Sequence, residues 1–414
     1  MQEKNKRLFD NILSQGALQA VNYVIPLIAY PYQVRVIGVE KFGLIAFAMS
    51  LIYYFNSIVD YGFNWSATKS ISQNRHNQNN ISNIFNSVII IKITLMLICF
   101  LFLLGLIYFV PKFHQDWLIF LYTFIFIVGT TIYPTWFFIG QERVRYITCI
   151  SIMAKMIFLI SLFVFVKRQE DYILVPLLNG IGSLTAGIIG FRYAVKNFNV
   201  KLYFPKISTI IKYFKESTQF FFSSVAISLY SNTNTFCLGL IGSKLMVGYY
   251  AAAEKIFYAI LGLRYPVDVS LFPYMAKNKD IDFFKKFATI AILLNTLICI
   301  AIIIYSKQLT LLVFGENMVP AYKVLQIFCL SAILEFPSVV GGYQLLVAFE
   351  HKIEANCSVY VTVIFHIIGL GILYLINKLD MYSISWIILC STTLTLAIRI
   401  YFINKFKIFQ YTNN

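Results

Sequence analysis

An all-α polytopic membrane protein is the fold class predicted for this chain, on three observations. Apolar runs longer than about 18 residues recur along its whole length, each long enough for a membrane helix. Only 13% of its 414 residues are charged, where a soluble protein carries about 25%. Its lysines and arginines collect in the short connectors between those runs, the pattern that orients membrane helices. A transmembrane barrel would instead show alternating segments of roughly ten residues, and the sequence has none.

Twelve spans are expected, at about 9–33, 42–63, 86–110, 117–138, 147–166, 172–193, 216–241, 246–275, 286–305, 320–347, 355–377 and 382–403. Basic residues gather in the connectors on the side of the termini, which places both ends in the cytoplasm. The first apolar run is long and has no small-residue cleavage pattern, so it is expected to stay as the first span. A net charge of +16 spread through connectors is an orientation signal, and no nucleic-acid partner is expected. The seven cysteines are scattered without a Cys-x-x-Cys pair and histidines are few, so no metal site, disulfide framework or cofactor is expected. The segment NFNVKLYFPKISTIIKYFKE (197–216) interleaves lysines with aromatic and aliphatic residues. That pattern fits a short helix on the anionic inner face of the bilayer.

The chain repeats itself. IGVEKFGLIAFA (37–48) and IGSKLMVGYYAA (241–252) occupy the same place in two six-span halves, and YPTWF (133–137) echoes FPSVV (336–340) in the same register. The expected division is a six-helix lobe over 1–196, a basic cytoplasmic linker over 197–215 and a second six-helix lobe over 216–414. Six spans per half give the lobes one orientation, and transporters built this way hold substrate in a central cavity at the seam.

Candidate functional residues are the polar groups inside the spans. The stretch YYAAAEKIFYAILGLRYPVDVSLFP (249–273) carries Glu254, Lys255, Arg264 and Asp268, although a charge in hydrocarbon costs at least about 2.5–3.5 kcal/mol. On one continuous helix Glu254, Arg264 and Asp268 would share an arc of roughly 80°, with Lys255 pointing elsewhere. Such a stripe either faces an aqueous cavity or pairs internally to hold the bundle. Gln15, Gln19 and Asn22 recur on one face of the first span, and Asn232 and Asn234 lie in the polar run SNTNT of the seventh. Cavity lining and interhelical hydrogen bonding are both open to them. Lys92 and Lys155 lie about 9–12 Å inside the cytoplasmic face and could snorkel outward. Glu335, beside Pro337, sits in mid-span, and Asp60 closes the second span. No nucleophile–base set and no phosphate-binding glycine loop occurs, so catalysis and ATP hydrolysis are not expected.

The stretches ILSQGALQAVNYVIPLIAYPYQVRVIGVEKFGLIAFAMSLIYYFNSIVDYGFNWSATKSIS, YPTWFFIGQERVRYI and VGYYAAAEKI resemble the bacterial polysaccharide transporter family. The match is closest to O-antigen flippases (Wzx-type), within the multidrug/oligosaccharidyl-lipid/polysaccharide flippase superfamily. The resemblance implies a flippase that carries undecaprenyl-pyrophosphate-linked repeat units from the cytoplasmic to the periplasmic leaflet by alternating access. It also implies the bacterial inner membrane as the location, and the polymerase and chain-length regulator of the same pathway as partners besides the bilayer. Relatives use essential basic residues in their cavities, and Arg264 is the position here that fits. Two other readings remain. A cation-coupled multidrug or metabolite antiporter would use Glu254 and Glu335. A membrane-embedded glycan polymerase or ligase would need a large outer loop, and the outer connectors here are short.

Overall fold

The computed structural model describes the backbone of residues 2–262 and 264–410. Side chains of residues 1–15, Ser223, Tyr265, Pro266, 268–270, Phe272 and Pro273 lie outside the described residues. Every described element is helical, in an all-α membrane protein. In order these are α1 (Gln2–Asp60), α2 (Phe63–Gln73), α3 (Gln78–Phe109), α4 (Pro111–His114), α5 (Trp117–Ile132), α6 (Thr135–Gly140), α7 (Val144–Phe165) and α8 (Leu174–Asn197). There follow α9 (Ile207–Ile241), α10 (Lys244–Gly262), α11 (Tyr265–Asn278), α12 (Ile281–Ile304), α13 (Ser306–Phe314), α14 (Ala321–Pro337), α15 (Leu345–Ala348), α16 (Lys352–Leu375) and α17 (Met381–Lys405).

Among the described residues, nine helical segments are long and apolar enough to cross a membrane. The first, Gly16–Gln73, has 58 residues and as a straight rod would run about 87 Å, almost three bilayer cores. It breaks at Gly38, whose φ of 81° and ψ of 163° are not helical. A side chain at that φ would strain the backbone, so glycine is the residue that permits the break. Each side of Gly38 is long enough for one crossing. Two further expected spans fall in α9 and in α10 with α11, both helical, so twelve crossings are compatible with these helices.

Where a single span is expected over 246–275, there are two helices that meet at Arg264. Pro266 in the first turn of α11 explains the break, because proline has no N–H for the preceding turn. The linker also differs from an isolated surface helix. Residues 201–206 are not helical, and the lysines beyond them ride on the first turns of the 35-residue α9. Pro205 pushes the residue before it into extended backbone, so a helix can begin only after it.

The chain forms two compact units, one of Met1–Ala29 with Val36–Phe236 and one of Tyr30–Arg35 with Cys237–Asn414. The first has its core around Phe63, Phe85, Trp136, Phe137 and Phe138. Tyr61 is stacked between Phe214 and Phe221, with ring centroids 4.4 and 4.5 Å away, and Ser66 and Ser217 share a hydrogen bond of 2.6 Å. These contacts fasten the start of α9 to the junction of α1 and α2. The second unit has its core around Leu271, Phe284, Phe336, Val340 and Leu346, and α14 packs against α10, α12, α13 and α17. Arg35 is tied into this unit by its guanidinium, which donates to Leu312 O at 2.5 Å and Val313 O at 3.0 Å. A cation there offsets the partial negative charge at the end of α13. Outward faces of both units are apolar, with Leu101, Phe102, Leu293, Leu297, Ile364 and Ile368 exposed. A lipid solvent is what such faces require.

The repeat has a structural counterpart. Gly38 breaks α1, and its equivalent in the second half, Gly242, lies in the gap between α9 and α10. Pro134 lies between α5 and α6, and its equivalent Pro337 ends α14, followed by a π-helical turn over Ser338–Gln344.

Candidate functional site

In the first unit buried polar groups lie on α1, α2, α3, α5, α7 and α9. Lys92 is buried, with Nζ 3.6 Å from Asp60 Oδ1, and it donates to Thr130 O at 3.3 Å. Asn64 donates to the other oxygen of Asp60 at 2.9 Å, and Thr135 donates to Asn64 Oδ1 at 3.2 Å. Thr130 donates its hydroxyl to Asn56 Oδ1 at 2.8 Å. Lys92 therefore points into the bundle toward a carboxylate instead of snorkelling. Pairing is what allows an ammonium at that depth, since an isolated one would be too costly.

Replacing Lys92 with Met should lower stability by about 2–3 kcal/mol, less than the about 3–5 for a fully buried pair. The reduction follows because the Asp60 side chain is 19% exposed. Lys92→Met/Asp60→Asn should recover much of that loss, since no uncompensated charge remains. Thermal transitions in detergent measure both, and a double variant less stable than Lys92→Met would contradict the pairing.

Lys155 on α7 is half-buried and donates to Asn22 Oδ1 at 2.5 Å. One candidate from the first span and one from the fifth are thus brought together. Gln19 is half-buried, and the side chain of Gln15 lies outside the described residues. On α9 the polar run divides its work. Asn232 donates to Ser228 O at 3.1 Å, Thr233 shares a hydrogen bond of 2.7 Å with Tyr54 Oη, and Asn234 and Thr235 are buried. At least Thr233 therefore acts as a link between helices.

In the second unit Glu254 is buried on α10, with Oε2 3.6 Å from Lys255 Nζ. Lys255 also lies over the ring of Tyr30, 5.6 Å from its centroid, a cation–π contact. Arg264 pairs with Glu335 across the unit. Arg264 Nη1 stands 3.7 Å from Glu335 Oε1, with the two side chains 20% and 29% exposed. The side chain of Asp268 lies outside the described residues. The helix junction at Arg264 and the proline-ended helix that carries Glu335 thus bring two irregular places together, each with a partly exposed charged side chain.

One buried cation is not apparent from the sequence. Arg399 lies near the cytoplasmic end of the last expected span, where a basic residue reads as an interfacial anchor, yet α17 buries it to 5% exposure. It donates to Ser358 Oγ at 3.0 Å and to Ser338 O and Oγ at 2.9 and 3.0 Å. The signal that could have found it is its distance from the end of the helix, more than a full turn before Lys405.

The repeat also relates the polar joints. In one unit Lys92 on α3 reaches the carbonyl of Thr130 on α5. In the other Asn295 on α12, at the position equivalent to Lys92, reaches the carbonyl of Ala332 on α14 at 3.3 Å. The ion pairs are inverted in sign. Asp60 has its partner Lys92 on the next span, whereas Arg264, at the position equivalent to Asp60, has its partner Glu335 on α14.

The chain is similar to known proteins in sequence and in fold. It is 28% identical over 351 residues to a protein of Escherichia coli (strain K12) described as "Putative O-antigen transporter", covering 83% of this chain and 84% of that one. A protein of Shigella dysenteriae with the same description is 27% identical over 348 residues, covering 83% and 87%. Among solved structures, the lipid II flippase MurJ in an inward closed conformation matches with a TM-score of 0.69 at 13% identity, covering 96% of this chain and 89% of that one. An inward-facing multidrug-resistance MATE family transporter matches with a TM-score of 0.70 at 12% identity, covering 98% and 100%. At those identities the likeness establishes a shared fold. The model of the family described as "Polysaccharide biosynthesis protein" matches residues 8–279, which is more than half of the sequence, and the chain belongs to that family.

Proposed function

We propose that this protein moves a diphosphate-linked glycolipid, of the undecaprenyl-pyrophosphate type, across a bacterial inner membrane, with both termini in the cytoplasm. The observation that carries the reading is Arg264, a partly exposed arginine at a helix junction inside a membrane-spanning unit, paired with the carboxylate of Glu335. A guanidinium matches a phosphate oxygen pair in geometry and charge. Glu335 holds the arginine when no substrate is present, and an incoming diphosphate takes its place. Lys255 and Glu254 sit one helical stretch before Arg264 and adjust the local charge. Within the first unit, amides such as Gln19, Asn22 and Asn232 suit the hydrogen bonding of neutral sugars, and Lys155 offers a cation beside Asn22.

The described relatives support a role in O-antigen transport, and transport from inside to outside fits the energetics. A diphosphate diester carries about two negative charges, and export from a negative interior gains roughly 2.3 kcal/mol per charge per 100 mV.

Depletion of the protein in its own cell should make lipid-linked oligosaccharide accumulate in the inner leaflet while total synthesis continues. Leaflet-specific lectin or enzymatic labelling of the glycan lipid measures this. Arrival of the labelled lipid in the outer leaflet at the normal rate without the protein would end the flippase reading.

A further inference from the structure

Arg399 is a buried cation of the second unit that the proposed function does not use. After Pro337 the chain makes a π-helical turn over Ser338–Gln344, an arrangement that leaves backbone groups without their ordinary helical partners. Arg399 fills that gap. Its guanidinium donates to the carbonyl and hydroxyl of Ser338 and to the hydroxyl of Ser358 on α16. Its face lies over the Tyr343 ring, 5.2 Å from the centroid. Its stem occupies the space where a Cβ on Gly342 would fall 2.7 Å from Arg399 Cδ.

Ser338 in turn belongs to the turn that ends α14, where its N–H bonds back to the carbonyls of Leu334 and Glu335. Glu335 and Ser338 are three residues apart and share a helix face, so the guanidinium bonded to Ser338 lies on the side of α14 that carries Glu335. One carboxylate therefore stands under the influence of two guanidiniums. Arg399 is buried and fixed by three hydrogen bonds, whereas Arg264 is partly exposed.

We propose that Arg399 is the positioning residue of the Arg264 anion site: by pinning the π-turn and sharing Glu335, it weakens the carboxylate's hold on Arg264 and leaves that guanidinium available to a diphosphate. This rests on the reading of Arg264 as the diphosphate contact. Loss of the Arg399 charge commits Glu335 to Arg264 alone, so an incoming anion competes against a stronger internal partner. Without a carboxylate at 335 there is nothing to redirect, and the loss of Arg399 has little further effect.

A double-mutant cycle tests this on the purified full chain in detergent, with farnesyl diphosphate as the probe and farnesol as the uncharged control. Arg399→Gln should weaken farnesyl diphosphate binding about tenfold, within the range of coupling found between residues of one charged network. In a Glu335→Gln background the same substitution should change affinity by less than about twofold. Equal fold-changes in the two backgrounds would show that Arg399 acts independently of Glu335 and would overturn the proposal. Ser358→Ala loosens Arg399 without removing its charge. It should weaken binding in the same direction by a smaller factor, again only while Glu335 is present, and it serves if Arg399→Gln does not fold. Arg264→Gln separates the two levels. If it leaves affinity unchanged, the Arg264 reading itself fails; if it weakens binding while the cycle is additive, only the role of Arg399 fails.

Discussion

Arg264→Ala is expected to cut export of the glycan lipid to a small fraction while leaving the protein folded and inserted. The reason is the accessibility of the side chain. Its side chain keeps 20% exposure at the junction of α10 and α11 and its partner Glu335 keeps 29%, so solvent screens the carboxylate left behind. What disappears is a cation able to make two charge-assisted hydrogen bonds to a diphosphate, each worth about 1.5–3 kcal/mol. Loss of even half that total slows loading about ten- to hundredfold. Arg264→Lys should retain part of the activity, because an ammonium keeps the charge and loses the fork. Surface glycan in a transport-null strain, compared at matched protein level, is the readout. Full restoration by Arg264→Ala would remove this residue from the mechanism.

The largest effect on stability is expected at Gly129. This residue lies on α5 where it crosses α8, and a Cβ there would fall 2.3 Å from the backbone and Oγ of Ser183 and 2.5 Å from Leu184 N. Across the same crossing, a Cβ on Gly187 would fall 2.5 Å from Gly129 O. Two helices in lipid gain little from the hydrophobic effect between them, so close backbone approach at small residues supplies the packing. Gly129→Leu must separate α5 from α8, and Ser183 would lose its hydrogen bond of 3.0 Å to Phe126 O. The loss should be at least about 3 kcal/mol, at the upper end for overpacked sites. Size-exclusion profiles and melting of the detergent-solubilised variant report it directly. A profile and melting temperature like those of the unaltered protein would refute the close-contact account.

The fold class is legible in the sequence because it rests on hydropathy and charge placement, which are local. The positions of the breaks are partly legible too. Gly38 and Gly242, Pro134 and Pro337 are residues whose backbone chemistry marks a discontinuity wherever they stand. Arg264 stands out as an arginine in an apolar run. Glu335 stands out as a mid-span carboxylate, but the pairing of the two does not, because periodicity describes the faces of one helix and is silent on which other helix each face meets. Glu335 lies on α14, far along the chain, and the nearer Glu254 shares a face with Arg264 only on the assumption of one continuous helix. That assumption fails at the break before Pro266. Arg399 is hidden because a basic residue near a helix end reads as an anchor. Lys92 misleads for a related reason. Depth alone allows snorkelling, and only the neighbouring chain shows that a carboxylate waits on the inner side.

The paired joints of the two units, Lys92 to Thr130 and Asn295 to Ala332, bear on the ancestry of the molecule. If the halves descend from one duplicated gene, the descent kept a side-chain donor reaching a particular carbonyl and let the donor change from an ammonium to an amide. The acid and base of the ion pairs changed places in the same interval. Geometry was the inherited quantity and charge the one free to drift. A lineage with that freedom can acquire a new cargo by exchanging a few ionisable side chains while the crossings of its helices stay as they were.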